Sequence, residues 1–138
     1  MAKILIVEDN ALNVKLFCDL LAAHGHEPRP VTDGRFALEQ AREFGPDLVI
    51  TDIQLPHVTG LDLIRLMRED KGLKEVPIMA VTAYAAATDE ERIRAAGAQA
   101  YVSKPISVAK FVAQVNELLG IEDAGPMAPA FDRGSAPG

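Results

Sequence analysis

Three short apolar runs constrain what this chain can fold into. Ile4-Leu5-Ile6-Val7, Leu48-Val49-Ile50 and Ile78 to Val81 are each too short for a helix and are rich in β-branched residues. Such runs read as strands buried on both faces. Two weaker strands complete the set. Glu27 to Val31 carries Pro28 and Pro30, which fits an edge strand where a missing N–H is tolerated. Ala100-Tyr101-Val102 is short and reads as the other edge. Helical segments alternate with these runs, at about 11–23, from Asp33-Gly34 on, after Gly60, from Thr88 to Gly97 and at about 107–119. Five strands alternating with five helices predict a doubly wound α/β domain, with a parallel sheet and helices on both faces.

The helices carry recognisable stripes and stops. Leu16, Phe17, Leu20 and Leu21 share one face of the first, which Asn10 caps and Gly25 ends. Phe36, Ala37, Leu38 and Ala41 form the apolar side of the second, and Leu63, Ile64, Leu66 and Met67 that of the third. Thr88 and Glu91 have the spacing of a capping box, so the fourth helix is expected to start at Thr88, leaving 83–87 as a loop. Phe111, Val112, Val115, Leu118 and Leu119 mark the fifth.

A chain of 138 residues is long enough for one core of ordinary size. The domain is expected over residues 1–119. Residues 120–138, rich in Gly, Pro and Ala, read as a flexible tail, with Phe131-Asp132-Arg133 as a weaker docking candidate. The net charge of -6 and the lack of a basic stripe argue against nucleic acid. No apolar run approaches a membrane span and no leader is visible, so a cytoplasmic protein is expected. The one cysteine, Cys18, sits in a helical pattern and reads as a small filler, not a nucleophile.

The strand ends carry the chemistry. In open α/β sheets ligands bind at the carboxyl edge of the strands. That edge gathers Glu8 and Asp9 after the first strand, Asp52 at the end of the third, Thr82 after the fourth and Lys104 after the fifth. Each has a plain structural explanation taken singly: a helix-start acid, a strand cap, a strand residue, a solvated cation. All of them falling at the same edge by chance is a poorer account. Three carboxylates repel and need positive charge. Lys104 supplies one unit, and Mg²⁺ suits the remaining oxygen donors. A cation, a lysine and a hydroxyl around a carboxylate are what phosphoryl transfer requires, with Asp52 as nucleophile. His24, His26 and His57 read as surface residues.

Together, Glu8-Asp9, Asp52 with Leu55-Pro56 and Gly60, Thr82-Ala83 and Lys104-Pro105 resemble the receiver domain of two-component response regulators. The match covers residues 2–119. Four stretches are similar to single-domain regulators of cell division in that family: 7–10, 52–56, 89–94 and 103–107. The resemblance implies a flavodoxin-like sheet of order 2-1-3-4-5. It implies that Asp52 accepts a phosphoryl group from a histidine kinase or histidine phosphotransferase. It implies Mg²⁺ held by Asp9, Asp52 and the backbone carbonyl of Gln54, with Glu8 acting through water. It also implies a cis Lys104–Pro105 bond and a switch made of Thr82 and Tyr101. Output then passes through a protein partner on the face of the fourth helix, fifth strand and fifth helix. Leu12, Lys15, Leu16, Pro105 and Ile106 are the candidate donor-docking residues. Two alternatives stand beside this reading: an intermediate that passes the phosphoryl group onward, and a phosphatase of the haloacid dehalogenase type. The second fits less well, because Gln54 stands where that family has a second aspartate. A receiver used only as a binding module is disfavoured because no site residue is missing.

Overall fold

The computed structural model describes residues 2–83 and 87–121. Five strands form one parallel sheet in the order β2-β1-β3-β4-β5. They are β1 (Lys3–Val7), β2 (Glu27–Val31), β3 (Leu48–Asp52), β4 (Ile78–Thr82) and β5 (Ala100–Ser103). The helices between and after them are α1 (Ala11–Ala23), α2 (Ala37–Phe44), α3 (Gly60–Glu69), α4 (Ala87–Ala96) and α5 (Val108–Leu119), with a short 3-10 turn at Gly34–Phe36.

Strand alternation sorts the core into two layers. Ile4, Ile6, Leu48, Ile50, Met79 and Val81 face α1 and α5, meeting Phe17, Leu21, Phe111 and Val115. Phe17 and Phe111 stack with ring centroids 5.1 Å apart, which locks the two helices together. Leu5, Val7, Val49, Ile78 and Ala80 face the other way, against Ala41, Leu63, Ile64, Met67 and Ile93 of α2, α3 and α4. Burying each of these large side chains contributes about 1.5–3 kcal/mol.

The edge prolines have a defined place. Glu27 N–H donates to the Ala2 carbonyl and Val31 accepts from Glu8 N–H, so the odd-numbered residues of β2 turn their backbone toward β1. Pro28 and Pro30 fall at the outward positions, where they remove the donors a further strand would need.

The chain order departs from the spatial order between β1 and β3. Connections leave β1 toward one side and β3 toward the other, which opens a cleft at their carboxyl ends. Asn10 caps α1 as expected, accepting from Asn13 N–H at 3.1 Å. Thr59 and Ser107 cap α3 and α5 in the same way.

Several local expectations are corrected. The fourth helix starts at Ala87, so Thr88 lies inside it and is not its cap; alanine already favours helix there. Residues 84–86 of the expected loop lie outside the described residues, as do 122–138 with Phe131-Asp132-Arg133. His26 is buried, not a surface residue. Its Nδ1 accepts from Ala2 N–H at 3.3 Å, where the β1–β2 pairing begins. Phe36, Leu16 and Leu66 are exposed despite lying on expected apolar stripes. Phe36 falls in the 3-10 turn, and the sheet contact of α1 is carried by Phe17 and Leu21. No helix among the described residues is long and apolar enough to cross a membrane.

Candidate functional site

The predicted groups converge at the carboxyl edge of the sheet. Asp52 is the last residue of β3 and Thr82 the last of β4, and both are buried. Glu8 follows β1 and is buried; Asp9 beside it is exposed. One donor oxygen each from Glu8, Asp9 and Asp52 lies within 4.8 Å of the others. Lys104 enters from the end of β5, and its backbone N–H donates to the Thr82 carbonyl at 2.7 Å. Its Nζ donates to Asp52 Oδ2 at 2.9 Å and stands 3.4 Å from Glu8 Oε1. The Lys104–Pro105 bond is cis.

Asp52 is held at both oxygens. Oδ2 meets the ammonium, and Oδ1 accepts from Gln54 N–H at 3.1 Å. The loop behind it is packed without slack. Gly60 N–H donates to the Ile53 carbonyl at 2.9 Å. A Cβ at Gly60 would strike the Asp52 carbonyl oxygen and come within 2.6 Å of Ile53 Cα. Only glycine permits that approach.

Electrostatics here are unbalanced. Burial pushes the Glu8 carboxyl above its ordinary value; Asp52 adds to this, while Asn10 N–H and Lys104 oppose it. Burial works against the Lys104 ammonium, but Asp52 and Glu8 outweigh it and raise the group overall. Glu8 Oε2 accepts from Asn10 N–H at 3.1 Å. Glu8 Oε1 is the buried side-chain atom that lacks a hydrogen bond among the described residues. With three carboxylates ionised and one ammonium, two negative charges are left over. An oxygen-only donor set with that surplus, and a buried oxygen that meets the Lys104 ammonium at 3.4 Å without a hydrogen bond, fits a hard divalent cation.

The other expected residues divide. Tyr101 is half-buried on β5, and its hydroxyl donates to Glu90 Oε1 at 3.1 Å. Leu12 is 80% exposed and Leu16 and Pro105 are exposed, whereas Ile106 packs partly into the α1–α5 layer. Lys15 is engaged with Asp19 at 2.9 Å. His57 is exposed and adopts φ 72 in the β3–α3 loop. Sequence reasoning passed over Glu90, Arg94 and Arg68. Glu90 and Arg94 lie in the 89–94 stretch of the resemblance and form an i,i+4 charge pair, but nothing pointed to Tyr101 as their partner.

Comparison with known proteins agrees with this geometry. Residues 4–116 match the response regulator receiver domain family. The chain is 50% identical over 117 residues to the polar-differentiation response regulator DivK of Brucella ovis, covering 85% of this chain and 95% of that one. A putative response regulator from Chloroflexus aurantiacus superposes with TM-score 0.82 at 29% identity, covering 86% and 98% of the two chains. The receiver domain of a Pseudomonas aeruginosa sensor histidine kinase, solved with a magnesium ion coordinated in its active-site cleft, does so with TM-score 0.80 at 31% identity, covering 86% and 98%. A receiver is a phosphoacceptor rather than a catalytic enzyme, which sets the phosphatase alternative aside. The carboxylate-lined edge at Asp52 is therefore the site of a protein that belongs to the response regulator receiver domain family.

Proposed function

We propose that Asp52 accepts a phosphoryl group from a phosphohistidine and that the modified domain signals through protein contacts. The observation that carries this is the Asp52 carboxylate at the end of β3, gripped by Lys104 Nζ at 2.9 Å with Glu8 and Asp9 alongside. A carboxylate oxygen attacks phosphorus and the P–N bond to the donor imidazole breaks. The ring nitrogen leaves with the electron pair and takes a proton. Lys104 stands where it can stabilise charge on the phosphoryl oxygens, and Thr82 can donate to one of them. Asp9, Asp52 and the Gln54 carbonyl, with Glu8 acting through water, would hold Mg²⁺, which would supply charge neutralisation to the transferring group. The magnesium in the Pseudomonas aeruginosa relative supports that choice.

Phosphorylation adds about -1.5 to -2 charge and three acceptor oxygens at Asp52. Thr82 follows the new acceptor and draws Ala83 and the residues after it toward the site. Tyr101 responds, and the face of α4, β5 and α5 changes its binding properties. A cavity of about 430 Å³ opens on that face, lined by Arg94, Tyr101, Ser103 and Lys110 among others, and gives a partner somewhere to seat. The donor approaches over Leu12, Lys15, Leu16, Pro105 and Ile106, and Pro105 also lines one rim of that cavity. Leu12, at 80% exposure, has no core role to explain it.

Two measurements test this. Incubated with Mg²⁺ and a small phosphodonor, the protein should gain one stoichiometric phosphoryl group; continuing release of phosphate at many turnovers would count against a receiver. Leu12→Asp should slow transfer from a histidine phosphotransferase while leaving labelling by the small donor intact. Equal slowing with both donors would sink the docking surface.

A further inference from the structure

The switch aromatic is already tied to a particular partner. Tyr101 OH donates to Glu90 Oε1 at 3.1 Å, across from β5 to the first turn of α4. The Glu90 bond, with burial adding, raises the phenol above its ordinary value, so it remains a donor. Glu90 is itself steadied: its Oε2 accepts from Arg94 Nε at 3.2 Å, and Arg94 Nη1 donates to the Gln99 carbonyl at 3.1 Å.

The far end of α4 is anchored. The Arg68 guanidinium donates to the carbonyls of Gly97 at 2.9 Å and Val76 at 2.8 Å, and to Gln99 Oε1 at 2.8 Å. Gln99 Oε1 also accepts from Ile78 N–H at 2.8 Å, which fixes this end of α4 to the sheet. Gly97, at φ 126, leaves no room for a side chain beside Arg68. The carboxyl end of α4 is thus pinned, while its first turn follows directly on the segment that Thr82 begins.

This places the two ends of one hydrogen bond on different bodies. Tyr101 is rooted in β5, paired in register with Ala80. Glu90 rides on the first turn of α4, at the end opposite the one that Arg68 anchors. We propose that Glu90 is a positioning residue that latches Tyr101 to α4 in the unphosphorylated protein, and that the activated packing breaks this latch. The inference rests on the assignment of Asp52 as phosphoacceptor. A contact made in only one of two states biases the equilibrium by its full differential energy. Removing it favours the activated packing and every ligand that prefers it.

The test is the affinity of the whole chain for beryllofluoride in the presence of Mg²⁺, by calorimetry or NMR titration. A net hydrogen bond of ordinary strength corresponds to about two- to tenfold in affinity. Glu90→Ala should bind beryllofluoride tighter by about that factor, and Tyr101→Phe should do the same. The double variant should be no tighter than either single one. Glu90→Gln keeps an acceptor for the hydroxyl while losing the charge that pairs with Arg94, so it should stay near the parent. Unchanged or weaker binding by Glu90→Ala, additive singles, or Glu90→Gln behaving as Glu90→Ala would each overturn the latch. Labelling of Asp52 by a small phosphodonor should persist in all four variants. Its absence from the parent would instead overturn the phosphoacceptor assignment, and the latch with it.

Discussion

Replacing Lys104 with Met removes the ammonium from between two buried carboxylates. Its Nζ lies 2.9 Å from Asp52 Oδ2 and 3.4 Å from Glu8 Oε1. At an effective dielectric constant of about 20, those attractions are roughly 6 and 5 kcal/mol gross. The net loss is smaller, because the lysine also sheds its own desolvation penalty and because Glu8 has an escape. Glu8 can take up a proton. From its ordinary 4.5 to pH 7 this costs roughly 3.4 kcal/mol, at about 1.36 kcal/mol per unit, and burial that already raises the group lowers that cost. The expected destabilisation in metal-free buffer at pH 7 is therefore about 2–3 kcal/mol, a little under what breaking a buried pair usually costs. The pH dependence has a definite sign. Without Lys104 the folded-state value of Glu8 rises further, so the folded chain holds more protons than the unfolded one. Stability of the variant then falls as pH rises above 4.5 and through the folded value. Urea unfolding of parent and variant at about pH 5 and about pH 7.5 should give a deficit that is largest at the higher pH. A deficit of equal size at both, or none at pH 7, would refute the reasoning.

Three further outcomes follow from individual contacts. Gly60→Ala drives a methyl into the Asp52 carbonyl and Ile53, and should cost about 1–3 kcal/mol in urea unfolding and weaken Mg²⁺ binding, the parent affinity being the control. His57→Gly relieves a left-handed backbone in an exposed residue, and should raise stability by up to about 1 kcal/mol without altering phosphodonor labelling. His26 is held below its ordinary 6.5 by burial, with the N-terminal ammonium and His24 adding; the unfolded chain therefore binds the proton first, and stability should fall as pH drops below 6.5, less steeply in His26→Asn, whose side-chain oxygen can replace Nδ1.

The strand ends were legible because their signals are local. A short all-apolar run rich in β-branched residues reads as a buried parallel strand, and the residue that ends the run must appear at the sheet edge. Asp52 and Thr82 were placed in this way, and Lys104 by the strand before it. Side-chain burial off the sheet was less legible. Phe36, Leu16 and Leu66 satisfy an apolar period, yet all three are exposed, Phe36 within the 3-10 turn that precedes α2. His26 looked like a turn residue because its partner, the Ala2 N–H, is 24 positions away. The Arg68 and Glu90 contacts escaped for the same reason. Charged residues on helices default to solvent, and only the tertiary arrangement brings carbonyls or a tyrosine hydroxyl to them.

The central claim is that Asp52 is the acceptor, and intact-protein mass measurement with site mapping tests it most directly. Parent protein and Asp52→Asn are each incubated with Mg²⁺ and a small phosphodonor. The parent should gain a single phosphoryl group that maps to the peptide containing Asp52, and the Asn variant, folded by circular dichroism, should gain none. A phosphoryl group on the parent that maps elsewhere, or equal labelling of the Asn variant, would contradict the account.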